Sequence, residues 1–189
     1  MTSFDFQINP LGRFSNYFLE HQLYSFKEAA QFIKELPYKR NTNKEDLFSV
    51  FKDGHGTCST KHAILKQLAV ENNEPELQLI LCIFKMNPQN TPKLADILEK
   101  HQLPYIPEAH NYLKFRDAVL DYTFPGSLTD IKKDVLEELI IEPHQITTFK
   151  VDHHKNFFRT WLSANAHLPY SLPEIWEIRE RCIQKLSKK

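Results

Sequence analysis

The chain is predicted to be an α+β protein, on three observations. Leu77–Met86 is an almost unbroken apolar run bounded by polar residues, the pattern of a buried strand. Ala109–Phe115 and Ala118–Thr123 flank Arg116-Asp117 and read as an antiparallel hairpin. Helical patterns gather before and after these segments instead of alternating with them, which argues against βαβ units.

The elements follow in order. Ser25-Phe-Lys-Glu28 is a capping box that opens a helix to about Leu36, where Pro37 stops it. Asn43 reads as the cap of a helix running to about Lys52, ended by Gly54. Ser59–Asn72 follows as a helix with Ile64, Leu65, Leu68 and Ala69 on one face. After the 77–86 strand comes a proline-rich stretch with Pro88, Pro92, Pro104 and Pro107, inside which Thr91-Pro92 starts a short helix. In the hairpin, counting from the turn pairs Phe115 with Ala118 and Leu113 with Leu120. Carried further, the count pairs Tyr112 with Asp121 and His110 with Thr123, and so sets His110 diagonal to Asp121. A helix is expected over Thr129–Glu138 and a strand over Leu139–Ile141. Two more helices follow, one from about His153 to Ala164 with Asp152 as its cap and His153-His154 on the surface, the other opened by the capping box Ser171-Leu-Pro-Glu174. Ser187-Lys-Lys is expected to fray.

At 189 residues the chain is expected to form a single domain, residues 1–189, with a core over about 43–142. Its 24 basic and 24 acidic residues balance, so there is no electrostatic case for nucleic acid or an anionic membrane surface. The N-terminus lacks a basic region followed by an apolar run, and no window has the ~20 apolar residues of a membrane helix. Three cysteines, odd in number and widely spaced, argue against a disulfide framework and for reduced thiols in the cytoplasm. Cys82 and Cys182 sit in apolar patterns and are expected to be structural.

Cys58 differs from both. It lies in Gly54-His-Gly-Thr-Cys-Ser-Thr-Lys-His62, and two of the chain's four glycines fall within four residues of it. Such a turn delivers the thiol to a defined place at the start of a helix. The unpaired N–H groups there and the positive end of the dipole favour the thiolate, the nucleophilic form. A cysteine nucleophile needs a base, and the base a group that orients it. His110, heading a strand, and Asp121, in the next, are the candidates.

Gly56-x-Cys58 opening a helix, then His110 heading a strand, then Asp121-x-Thr123, resembles the transglutaminase-like cysteine superfamily over roughly residues 50–125. Tyr112 fills the aromatic position two residues after the histidine, and His62 stands one turn after the cysteine, where a small residue is common. The resemblance implies a papain-like fold, a transglutaminase-like core in which the nucleophile helix packs on an antiparallel sheet, with additional N- and C-terminal helices here. It implies Cys58 as nucleophile, His110 as base and Asp121 as its orienter, acting on a peptide or protein amide with no cofactor or metal. A second oxyanion donor in similar enzymes comes from a side chain upstream of the cysteine; Tyr38, Asn41 and Asn43 are the candidates, and Asn41 is the one chosen. Hydrolysis is favoured over cross-linking, because no Asp/Asn-rich calcium loop is present.

Two other readings stand beside this one. The chain is a binding module that kept the fold without the chemistry. Or His55, Cys58 and His62 bind zinc, which would need a fourth ligand from elsewhere.

Overall fold

A computed structural model describes residues 4–125 and 131–187. Among them the fold is α+β, with seven α-helices and a four-stranded antiparallel sheet. The helices are α1 (Arg13–Glu20), α2 (Phe26–Glu35), α3 (Ser49–Asp53), α4 (Cys58–Glu71), α5 (Ala95–Lys100), α6 (Thr148–Ala164) and α7 (Leu172–Leu186). The strands are β1 (Leu77–Met86), β2 (Ile106–Phe115), β3 (Ala118–Leu120) and β4 (Val135–Ile141), in the sheet order β3-β2-β1-β4. The chain groups into two compact units. One comprises Met1–Leu81, Asn111–Thr129 and Leu139–Thr147, the other Cys82–His110, Asp130–Glu138 and Thr148–Lys189.

The first unit is built around α4. This helix packs against α1, α2 and the 3-10 turn Pro143–Ile146. It is buried on nearly every side, polar residues included: Thr60, Lys61, His62 and Lys66 are enclosed along with Ala63, Ile64, Leu65, Leu68 and Ala69. The one-faced amphipathic helix expected from the apolar spacing is therefore a central helix. Its buried polar groups are partnered: Lys66 Nζ donates to Leu77 O at 2.7 Å. Its far end caps another helix. The Glu71 carboxylate accepts the backbone N–H groups of Phe14 (3.1 Å) and Ser15 (2.7 Å) and the Ser15 hydroxyl (2.7 Å), satisfying the open N-terminus of α1. Gly12, at the cap position of α1, leaves room for this: a Cβ there would collide with the Glu71 side chain.

The capping box Ser25–Glu28 opens α2 as expected, with both reciprocal bonds formed. The helix expected from Asn43 to Lys52 is much shorter, because side chains divert the backbone first. Asn43 Oδ1 accepts Glu45 N–H, and Asp46 Oδ1 accepts Phe48 N–H, both turn-forming bonds two residues on. Only Ser49–Asp53 is helical, and Gly54 ends it at φ 66°.

The hairpin register is the one counted from the sequence: Leu113 pairs with Leu120, Lys114 with Val119 and Phe115 with Ala118, around Arg116 at φ 53°. The second strand stops at Leu120 and not at Thr123. Asp121 ends it by accepting the Thr123 N–H (2.8 Å) and hydroxyl (2.5 Å) on Oδ1.

In the second unit, α7 follows its capping box Ser171–Glu174 and packs on α6 and the 3-10 turn Pro92–Leu94. Of the helix expected over Thr129–Glu138, residues 129 and 130 lie outside the described residues, as do Lys188 and Lys189 of the tail expected to fray. The remainder is corrected: a single 3-10 turn, Lys132–Asp134, leads into β4 at Val135. Pairing in the sheet prevails over the helix preference of Leu and Glu there. The sixth helix begins at Thr148, so Asp152 is interior and caps nothing. His154 is not on the surface but 1% exposed. Its Nε2–H donates to Pro107 O at 2.9 Å, and its ring stacks on Phe158 with Trp176 edge-on. Beside it, Arg179 Nε donates to Glu108 Oε2 at 2.7 Å and Nη2 to Oε1, a bidentate buried pair. Cys82 and Cys182 are both fully buried, as their apolar settings implied.

Candidate functional site

Thr57 caps α4 with a full capping box to Thr60, which makes Cys58 the first residue of a 14-residue helix. The two neighbouring glycines serve different ends. Gly54 supplies a left-handed turn. Gly56 permits close approach: its backbone bridges Tyr38, and a Cβ there would press on Thr60 Oγ1 at 3.0 Å and Lys61 Cγ at 3.1 Å. The turn is fixed by Asn41. Its Nδ2 donates to His55 O (2.7 Å) and Asp53 Oδ2 (3.2 Å), and its Oδ1 accepts the Thr60 hydroxyl (2.8 Å). Asn41, the oxyanion candidate, thus directs its amide protons at the turn that delivers Cys58.

Cys58 is 7% exposed. Its Sγ lies 3.9 Å from the Ser59 hydroxyl, which donates to Asn111 Oδ1 at 3.0 Å. Asn111 on β2 in turn donates to Ile80 O on β1 at 2.9 Å, hanging the first turn of α4 from the sheet.

Behind the thiol, Lys61 and His62 are both 0% exposed. The Lys61 ammonium donates to three carbonyls, Lys34 O (3.3 Å), Leu36 O (2.5 Å) and Thr123 O (2.6 Å), one for each proton. Burial pushes Lys61 down to about 8, while Asp121 and Cys58 pull it back up. The three-carbonyl cage matches the three protons of the charged form.

His62 Nε2 accepts the Tyr122 N–H at 2.8 Å, so the ring proton is on Nδ1, which donates to Cys58 O at 2.7 Å. Asp121 Oδ1 lies 3.6 Å from that same Nε2. This is not an ion pair, because Nε2 is already an acceptor and the ring is neutral. With both nitrogens committed, His62 has no lone pair left for zinc. Among the described residues no group of three or more His, Cys, Asp or Glu side chains is placed to hold a metal ion, which removes the His55/Cys58/His62 reading.

The first unit therefore contains Cys58 and Asp121, joined through Lys61 and His62. His110 belongs to the second unit, half-buried on β2 with its ring edge-on to Phe84 at 6.0 Å. Sequence reasoning passed over Lys61 and Asn111. The signal for Lys61 was its spacing of three from Cys58, the same-face spacing of a helix.

No protein-family model, no curated protein and no solved structure matches the chain. No helix among the described residues is long and apolar enough to cross a membrane.

Proposed function

We propose that the chain is a transglutaminase-like, papain-like thiol enzyme that acts on amide bonds by acyl transfer in the cytoplasm. Cys58 is the nucleophile, His110 the base and Asp121 its orienter, the two latter roles carried over from the motif resemblance. The thiolate attacks the amide carbonyl carbon, and the C–N bond breaks as His110 returns the proton to the leaving amine. A thioester on Cys58 remains, and water cleaves it to a carboxylic acid and the free thiol. The backbone N–H of Cys58 serves the oxyanion. Hydrolysis is favoured over transfer to an amine.

The observation that supports this reading is the placement of Cys58 as the first residue of α4, with the caged ammonium of Lys61 three residues on and the two residues after Asp121, Tyr122 and Thr123, bonded to His62 and Lys61 of the same helix. A helix N-terminus and a nearby cation both favour thiolate.

The test is Cys58 alkylation by iodoacetamide across pH, followed by mass spectrometry in wild type and His110→Ala. Cys82 and Cys182 serve as internal controls; burial raises Cys182 to about 11. Labelling of Cys58 well below the ordinary thiol pKa of ~8.5, slowed in His110→Ala, is expected. Slow labelling indifferent to His110 refutes the paired nucleophile and leaves a binding module.

A further inference from the structure

We infer that Lys61 and His62 are positioning residues that set the charge at Cys58 and hold the Asp121 segment in register with it. The inference rests on Cys58 and Asp121 belonging to one reactive site, but it concerns neighbours that the triad does not include.

The geometry is a two-point clamp. Asp121, Tyr122 and Thr123 follow β3 as a turn closed on the Asp121 carboxylate. Two consecutive residues of α4 grip the two residues after Asp121. His62 takes the Tyr122 N–H, and Lys61 takes the Thr123 carbonyl. His62 also donates its Nδ1–H to Cys58 O, so the clamp closes on the first turn of α4 itself. Neither side chain reaches solvent, so neither bond competes with water.

The two residues differ in charge. His62 is held neutral, with an N–H donor on one side and a carbonyl on the other. Lys61 is a cation at neutral pH, although burial lowers it to about 8: its three protons match three carbonyls, which accept hydrogen bonds but carry no full charge. Lys61 stands three residues after Cys58 on the same face of α4, and its ammonium sits on the carbonyl of Thr123, two residues after Asp121. Its positive charge is thus placed between the two ionisable groups, which in turn oppose the burial that would neutralise it. A neutral amine would leave one carbonyl facing a lone pair. The arrangement supplies a fixed cation that favours thiolate at Cys58 and carboxylate at Asp121 at once, without the mobility of a surface lysine.

A purely structural lysine would alter stability but leave the titration of Cys58 where it was. The pH profile of Cys58 alkylation in Lys61→Met therefore discriminates. The profile is expected to move up by about one pH unit, lowering the thiolate fraction at neutral pH roughly tenfold. A profile that overlays wild type overturns the inference.

If Lys61→Met does not fold, Cys58→Ser reads the same coupling from the other side. With 13C-labelled lysine, the Lys61 Cε resonance is expected to respond to ionisation of Cys58 in wild type and to lose that response in Cys58→Ser. Identical titrations in the two proteins overturn it. His62→Phe removes both histidine bonds, and amide exchange at Tyr122 is expected to rise tenfold or more relative to amides within α4; unchanged protection refutes the clamp. The enzyme proposal fails separately. A Lys61-dependent profile with no thioester formed from any amide removes acyl transfer and keeps the positioning role, whereas thioester formation with a Lys61-independent profile does the reverse.

Discussion

Replacing His154 with Gln should abolish a specific acid sensitivity of the second unit. In the folded chain burial lowers His154 to about 4. The neighbouring Arg179 and Lys150 charges act in the same direction, and Glu108 and the bond to Pro107 O oppose them. Unfolded, the imidazole takes its proton near pH 6.5. Between those values the unfolded chain binds more protons than the folded one, so stability falls as pH drops from about 6.5 and levels off below about 4. The loss from this residue is about 2 kcal/mol between pH 7 and pH 5, and about 3 kcal/mol by pH 4. Glu108 does not blur the window: burial acts most strongly on it and raises it, but the charge and hydrogen bonds of Arg179, with the His154 and Lys150 charges, together leave its pKa below the usual glutamate value. Trp161 and Trp176, the chain's two tryptophans, both lie in this unit and make fluorescence-detected urea unfolding the assay. His154→Gln is expected to be less stable at pH 7 through lost ring packing, and its deficit should shrink by about 2 kcal/mol at pH 5. A deficit constant with pH refutes the reasoning.

Two further outcomes follow from backbone geometry. Glu71→Ala strips three hydrogen bonds from the N-terminus of α1 and should cost about 1–2 kcal/mol, seen as a lower Tm, with Glu71→Gln milder. Gly54→Ala meets no atom within 4 Å but must hold φ at 66°, so a loss of about 1–2 kcal/mol in chemical denaturation is expected from strain alone, and Gly54→Asn should lose less.

What the sequence made legible was local. Both predicted capping boxes form because donor and acceptor are three residues apart, and the hairpin register held because a two-residue turn dictates it. The missed elements depend on distant partners. No cap signal precedes α1, since its cap is Glu71, 56 residues after Ser15. β4 carries the composition of a helix and becomes a strand because β1 offers it a partner. The false helix start at Asn43 was also physical: Asn and Asp side chains that cap a helix can equally turn the chain away from one.

The surroundings of Cys58 show the same division more sharply. Gly54, Gly56 and the helix start were readable, because each acts on its own backbone. Lys61, His62 and Lys66 were not, because periodicity assigns charged and polar residues to the solvent face. Their true partners are the carbonyls of Lys34, Leu36 and Thr123 for Lys61, of Cys58 for His62 and of Leu77 for Lys66. Burying a lysine without such partners costs several kcal/mol. Lys66 meets that requirement far from Cys58, at the start of β1, where holding the strand to the helix accounts for it. Lys61 meets it between α4, which begins at Cys58, and the turn after Asp121. A leucine would fill the same volume, but it could not bond Thr123 O, nor place a positive charge at that turn. That contrast makes the Lys61 substitution a test of chemistry as well as of folding.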